Sequence, residues 1–396
     1  MSATGSVLAS LDCRACCTSL APDRPVGTCP TCGHTLFASY ALDRIDRGRW
    51  REAVARRPTS LWRYAELLPV RDAGAIATLG EGMSPIVALG PVAEAPGVSV
   101  VAKDDGGLPT GSFKARGMAV AVSCAKELGL TELFVPSAGN AGVALAAYGA
   151  RAGLATRIYL PEATSAAVAD RAATYGAGVV RVGRTIREAG EAARTAERGR
   201  GSFDVSTLRE PYRVEGKKTM GLEIFEQSAG SLPDAIVYPT GGGTGLVGMQ
   251  KAFDELRALG LLERSPRLYA VQAEGCAPVV RALEAGAATV APWADARTLA
   301  PGLLVPAPFA SERILEAVRQ SGGAGVAVSD RAIVTALRRL ASRHGVSVSP
   351  EAAAPYAALG PLAARGWIRP GETVLLYLTG SGLPFSAVDL EGSLGP

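Results

Sequence analysis

The chain has 396 residues, 48% hydrophobic and 20% charged, with 47 Gly and 26 Pro. That length accommodates about two or three domains with ordinary cores, which excludes a disordered chain, a collagen-like repeat and a small disulfide scaffold. Against 41 Lys+Arg stand 37 Asp+Glu, a net charge of +4 spread along the chain, so there is no basic footprint for nucleic acid. No run approaches about 18 uncharged apolar residues, and the first residues lack a basic stretch followed by a long apolar one. A soluble cytoplasmic protein without membrane contact is therefore expected.

Residues 1–42 read as a zinc-ribbon-like segment. Cys13-x-x-Cys16 and Cys29-x-x-Cys32 are two pairs separated by twelve residues, a spacing that lets four thiolates converge on one structural zinc. A metal-free, degenerate ribbon is the alternative, because Cys17 crowds the first pair; Cys17 and His34 rank behind the four as ligands. His34 and His344 are the only histidines, so a Ser-His-Asp or Cys-His machine is not expected. His344 should close a helix before Gly345. Cys124 and Cys276 should be buried, inert thiols in helical stretches.

Residues 43–77, Arg-rich and interrupted by Pro58 and Pro69, read as a helical, partly solvated connector. Beyond it, β-branched runs at 98–102, 133–136, 156–160, 179–182, 235–238, 268–271, 326–328 and 373–378 alternate with longer segments. Those segments, 115–129, 141–153, 164–175, 185–198, 214–230, 244–259, 329–343 and 351–365, carry apolar faces at helical period. The alternation predicts an α/β core of parallel-rich sheets flanked by helices, with ligands at the carboxyl ends of strands. Residues 277–310 and 384–396 read as irregular loop and tail.

Three strand-to-helix turns carry chemistry. In Pro239-Thr240-Gly241-Gly242-Gly243-Thr244-Gly245, consecutive glycines and free amides at a helix start make a seat for phosphate; close helix–sheet packing is the competing reason for such glycines. The loop has neither the Lys-Ser/Thr pair of a Walker A sequence nor the GxGxxG spacing. Pro109-Thr110-Gly111-Ser112-Phe113-Lys114 delivers one lysine at a helix start, where a desolvated amine becomes a nucleophile; an ordinary surface lysine is the alternative. In Ser137-Ala138-Gly139-Asn140-Ala141-Gly142, Asn140 can bond a phenolate-like oxygen and the amides can hold a carboxylate. Alternatively, Asn140 is a helix N-cap.

Together with Leu378-Thr379-Gly380-Ser381-Gly382, these turns resemble the fold-type II family of pyridoxal-phosphate (PLP) enzymes, the tryptophan synthase beta family, and within it the threonine synthase group. The resemblance runs from about residue 78 to 383. It includes Leu79-Gly80-Glu81-Gly82-Met83-Ser84-Pro85, the segment Ser206–Thr219, and Val271-Gln272-Ala273-Glu274-Gly275. It implies a two-lobed catalytic core over 78–385, with a smaller lobe of about 115–205 and a tail at 386–396. It also implies that Lys114 forms the internal aldimine and then moves protons, and that Asn140 contacts the cofactor's 3′-oxygen. Gly241, Gly242, Gly243, Thr244 and Gly245 would cradle the cofactor phosphate, and Thr379 would face the pyridine nitrogen.

The implied reaction converts O-phospho-L-homoserine and water to L-threonine and phosphate. Substrate contacts would come from Ser112, Ser137, Ala138 and Gly139, with Ser206, Thr207, Arg213, Lys218 and Arg116 as candidates for its phosphate. A homodimer is implied by the resemblance alone. Four departures bear on the substrate: Leu108, Ala115, Leu304 and Pro384 stand where the group usually has Asn, Asp, a basic residue and Lys. The alternatives are a paralogue acting on O-phosphoserine, serine or threonine, as in cysteate synthase or a dehydratase, and a chain kept as a non-catalytic scaffold or sensor.

Overall fold

The computed structural model describes residues 4–385; the tail at 386–396 lies outside the described residues. At the N-terminus, β1 (Leu8–Cys13) pairs antiparallel with β2 (Ser19–Leu20) and β3 (Leu36–Tyr40). Cys13 ends β1 and Cys16 sits in the turn after it, while Cys29 and Cys32 lie inside a second turn closed by a Thr28–Thr35 bridge.

The connector is less solvated than its arginines suggest. Its first half is α1 (Arg47–Arg56), capped by Asp46, whose carboxylate accepts from the amides of Gly48 and Arg49. Its second half is a 3-10 turn over Leu61–Leu67 in which Arg63 and Tyr64 are buried. Arg63 pairs with Glu226 at 2.8 Å and Tyr64 bonds the same carboxylate, so a distant acidic residue draws the turn into the core.

The remaining elements follow in chain order: β4 (Ile86–Gly90), β5 (Ser99–Asp104), α2 (Lys114–Glu127), β6 (Glu132–Pro136), α3 (Asn140–Ala152), β7 (Ala155–Leu160), α4 (Ala166–Thr174), β8 (Gly178–Arg181), α5 (Ile186–Ala196), β9 (Phe203–Asp204) and α6 (Arg213–Gln227). Then come β10 (Ala235–Pro239), α7 (Thr244–Ala258), β11 (Arg267–Ala273), α8 (Pro278–Glu284), α9 (Ser311–Gln320), β12 (Gly325–Val328), α10 (Asp330–His344), α11 (Pro350–Ala357), α12 (Leu359–Ala364) and β13 (Thr373–Leu378).

The two sheets have separate sources in the chain. A four-stranded parallel sheet, β8-β7-β6-β9, comes from one continuous stretch. The six-stranded sheet, β12-β11-β10-β13-β5-β4, takes strands from both sides of that stretch and is parallel except for β4. Side-chain alternation gives the larger sheet two apolar faces. Val100, Val237, Val271 and Leu376 pack toward α10, α11 and α12, while Ile236, Leu268, Leu375 and Tyr377 pack toward α6, α7 and α9. Burial on both faces is what parallel strands require.

Some elements differ from the expectation. The helix expected over 351–365 is two, because Pro361 has no amide to give the carbonyl of Ala357. The stretch 277–310 holds α8 and is followed by α9. Cys276 is buried, but in the turn before α8 and not in a helix. Gly345 is left-handed at φ 67° and closes α10 directly after His344.

Candidate active site

The turn that delivers Lys114 is stapled to the end of β13. The Phe113 amide donates to the Thr379 carbonyl at 3.0 Å, the Ser381 amide donates to Gly111, and Ser112 bridges Gly380. This pairing sets Lys114 and Thr379 beside each other at the carboxyl end of the larger sheet. Burial, and then the positive charge of Arg213, bring the Lys114 ammonium from its ordinary 10.5 down to about 7, while Glu351 pulls the other way. The lysine is therefore a neutral amine for much of its population at neutral pH, the form that attacks a carbonyl carbon and accepts a proton.

The glycine loop leads from β10, next to β13 in the sheet, into α7. Gly243 is left-handed at φ 67°, and a Cβ there would lie 2.4 Å from Ile314, so both the turn and its backing need glycine. No described carbonyl or side-chain acceptor takes a hydrogen bond from the amides of Gly241, Gly242, Gly243, Thr244, Gly245 or Leu246. These unpaired N–H groups at the positive end of a 15-residue helix fit a phosphate. Thr207 lies against the loop, its Cγ2 3.0 Å from where a Cβ on Gly242 would stand.

The third turn joins β6 to α3. Asn140 is the first residue of the helix, not its cap, and Gly139 precedes it with no side-chain cap bond. The amides of Ala138, Asn140 and Ala141 likewise find no described acceptor, while Ser137 Oγ accepts from the Gly142 amide at 2.9 Å. The Asn140 side chain is thus available to a ligand, beside amides suited to a carboxylate.

Of the basic residues expected at a substrate phosphate, two are held elsewhere. Arg116 is fully buried and its guanidinium is saturated by Asp105 at 2.7 and 2.8 Å, Glu223, Ser84 and Thr219. Lys218 pairs with Glu215 at 2.6 Å and Glu255 at 2.9 Å and lies 3.9 Å from the Tyr40 ring centre. Both cations thus have their partners within the protein, because buried cations seek carboxylates and these already have them.

Arg213 is buried with Nη1 on the Val205 carbonyl at 2.7 Å and Nε without a partner. Ser112 is fully buried and its hydroxyl is also unpartnered. Ser206 turns its hydroxyl to Asp204, which also accepts from its amide at 2.9 Å. Two residues the sequence reading passed over belong here. Lys217 lies one turn after Arg213 on α6, a periodicity that could have found it. Glu351 accepts from the Gly302 amide at 2.7 Å, and the Gly302 carbonyl in turn backs Gly241; its place at the start of α11 carries no motif.

The four ribbon cysteines bring their Sγ atoms within 4.8 Å of one another, with Cys13–Cys32 at 3.4 Å and Cys16–Cys29 at 3.6 Å. Tetrahedral Zn–S bonds of about 2.3 Å imply sulfur separations of about 3.8 Å, so the donor set and spacing fit zinc. Cys17 is exposed, and His34 faces the Cys32 carbonyl, so neither joins the cluster.

Residues 77–380 match the family described as "Pyridoxal-phosphate dependent enzyme". The chain is 34% identical over 374 residues to the threonine synthase of Methanosarcina acetivorans, covering 93% of this chain and 91% of that one. It is 32% identical to the threonine synthase of Methanocaldococcus jannaschii over 91% of this chain and 89% of that one. Among solved structures, a threonine deaminase from T.th. superposes with a TM-score of 0.62 at 29% identity, covering 73% of this chain and 89% of that one.

Proposed function

We propose that this chain, which belongs to the pyridoxal-phosphate dependent enzymes, is a threonine synthase-like lyase that converts O-phospho-L-homoserine and water to L-threonine and phosphate. The observation that carries the reading is Lys114, a half-buried amine brought down to about 7 and stapled to the end of β13 beside Thr379, near the unpaired amides that open α7.

When bound, the cofactor supplies an electron sink that makes a substrate Cα–H acidic. The chain supplies the rest. The amides of residues 241–245 would hold the cofactor phosphate, and Asn140 would steady the 3′-oxygen. Thr379 would offer the pyridine nitrogen a hydroxyl in place of a carboxylate, which would limit the positive charge on the ring. The amides around Ala138 hold the substrate carboxylate, while Lys114, poised near neutrality, takes the Cα proton and returns it elsewhere. Arg213, Ser112 and Thr207 face the substrate phosphate.

A second reading is β-elimination from serine or threonine. It is favoured by the commitment of Arg116 and Lys218 to carboxylates, which removes two of the expected anion contacts. Assaying the cofactor-loaded protein with O-phosphohomoserine decides between them. Threonine and phosphate in equal amounts, abolished in Lys114→Ala, are the expected result, whereas ammonia release from serine or threonine with no phosphate released would install the second reading.

The ribbon holds one structural zinc, supported by its converging sulfurs. A homodimer, resting on the sequence resemblance, and a cytoplasmic location, resting on the hydropathy pattern of the sequence, complete the proposal. No described helix is long and apolar enough to cross a membrane.

A further inference from the structure

Arg213 and Lys217 are four residues apart on α6 and leave the same face of the helix. The Lys217 stem passes between α2 and α7: its Cε lies 3.3 Å from where a Cβ on Gly117 would stand, and its own Cβ lies 2.8 Å from one on Gly248. Its Nζ donates to the Phe113 carbonyl and sits 4.0 Å from the Phe113 ring centre. The Lys114 Nζ lies 4.3 Å from the same centre.

Lys217 is 1% exposed, yet no carboxylate among the described residues comes within ion-pair distance of it. Other deeply buried cations around it, Arg213 apart, are treated differently. Arg116, Lys218 and Lys251 each have two carboxylates, and Lys103 has Glu223. An ammonium carries three donors, and one carbonyl uses only one of them. Buried without a counter-charge, such a group is costly unless something anionic arrives.

Its neighbours share the deficit. Arg213 Nε has no partner, and in the adjoining turn the hydroxyls of Thr110 and Ser112 are buried and unpartnered. Every unsatisfied group in this set can donate a hydrogen bond.

We infer that Lys217, not its neighbour Lys218, is the second cation beside Arg213 at the seat proposed above for the phosphate group of the substrate. The phosphate ester as the source of that group rests on the proposed function; free phosphate has the same chemistry. Burial, with Lys114 and Arg213 close by, holds the Lys217 ammonium well below its ordinary value, as suits a cation site that charges fully only when an anion enters.

The test uses the cofactor-loaded enzyme, in which the glycine loop is already filled, and titrates inorganic phosphate by calorimetry into wild type and Lys217→Met. Phosphate affinity should fall at least about tenfold in K217M, and KM for O-phosphohomoserine should rise by a similar factor with kcat changed less than about threefold. A lysine that merely braces the Phe113 turn would lower kcat and leave phosphate affinity unchanged, which would overturn the inference, as would a wild type that binds no phosphate. Phosphate binding that depends on Lys217, in an enzyme that does not turn over O-phosphohomoserine, would keep the seat for free phosphate and reject the proposed substrate. Should K217M fail to load cofactor, crystals of the wild-type holoenzyme soaked in tungstate decide the matter: an anion on Lys217 Nζ supports the seat, and density elsewhere or none rejects it.

Discussion

Replacing Lys114 by Met in the cofactor-free protein should change how stability depends on pH. The folded-state value of Lys114 lies near 7, lowered from 10.5 by burial and then by Arg213. The unfolded chain keeps the ordinary value, so between those limits it binds a proton that the folded state does not, and folding is favoured increasingly as pH rises. One such group contributes at most about 1.4 kcal/mol per pH unit. Lys114 is partly accessible in the folded chain, so roughly half of that, on the order of 1 kcal/mol between pH 7.5 and 9, is the expected size. Urea unfolding of both proteins across that range, at constant ionic strength, reads the difference. Wild type should gain on K114M as pH rises. A difference constant within about 0.3 kcal/mol, or one that shrinks, would mean that Lys114 keeps an ordinary ammonium, and the neutral nucleophile would be refuted.

Two further outcomes follow from other parts of the chain. Glu223 is fully buried between Lys103 and Arg116, so Glu223→Gln should cost about 3–5 kcal/mol in urea unfolding. Glu191→Gln in the exposed pair with Arg187 should cost less than about 1 kcal/mol; equal losses would contradict the ranking by burial. Metal analysis should find one zinc per chain, lost in Cys29→Ser together with thermal stability, because Thr35 of the ribbon bonds the Leu208 carbonyl at 2.6 Å. A wild type purified with zinc available and holding less than about a tenth of an equivalent would leave the ribbon metal-free.

What the sequence determined by itself is what depends on neighbours along the chain. A glycine loop between a β-branched run and a helix announces unpaired amides wherever the helix ends up, and Cys-x-x-Cys pairs announce a metal-sized cluster. The alternation of strand and helix periods likewise implies parallel sheets, as the β5, β6, β7, β10, β11 and β13 ladders show.

Which partner each lysine of α6 meets was decided only by the tertiary structure. Lys217 and Lys218 are adjacent in sequence and chemically identical, but α6 turns about 100° between them. One ammonium is thereby delivered to Glu215 and Glu255, and the other to the Phe113 carbonyl beside Lys114. Arg116 lies two residues from Lys114 and finds its partners for the same reason: Asp105 and Glu223, distant in sequence, converge on it once α2 and α6 pack. Charge pairing in a buried site depends on which long-range partners arrive, and no local pattern encodes that.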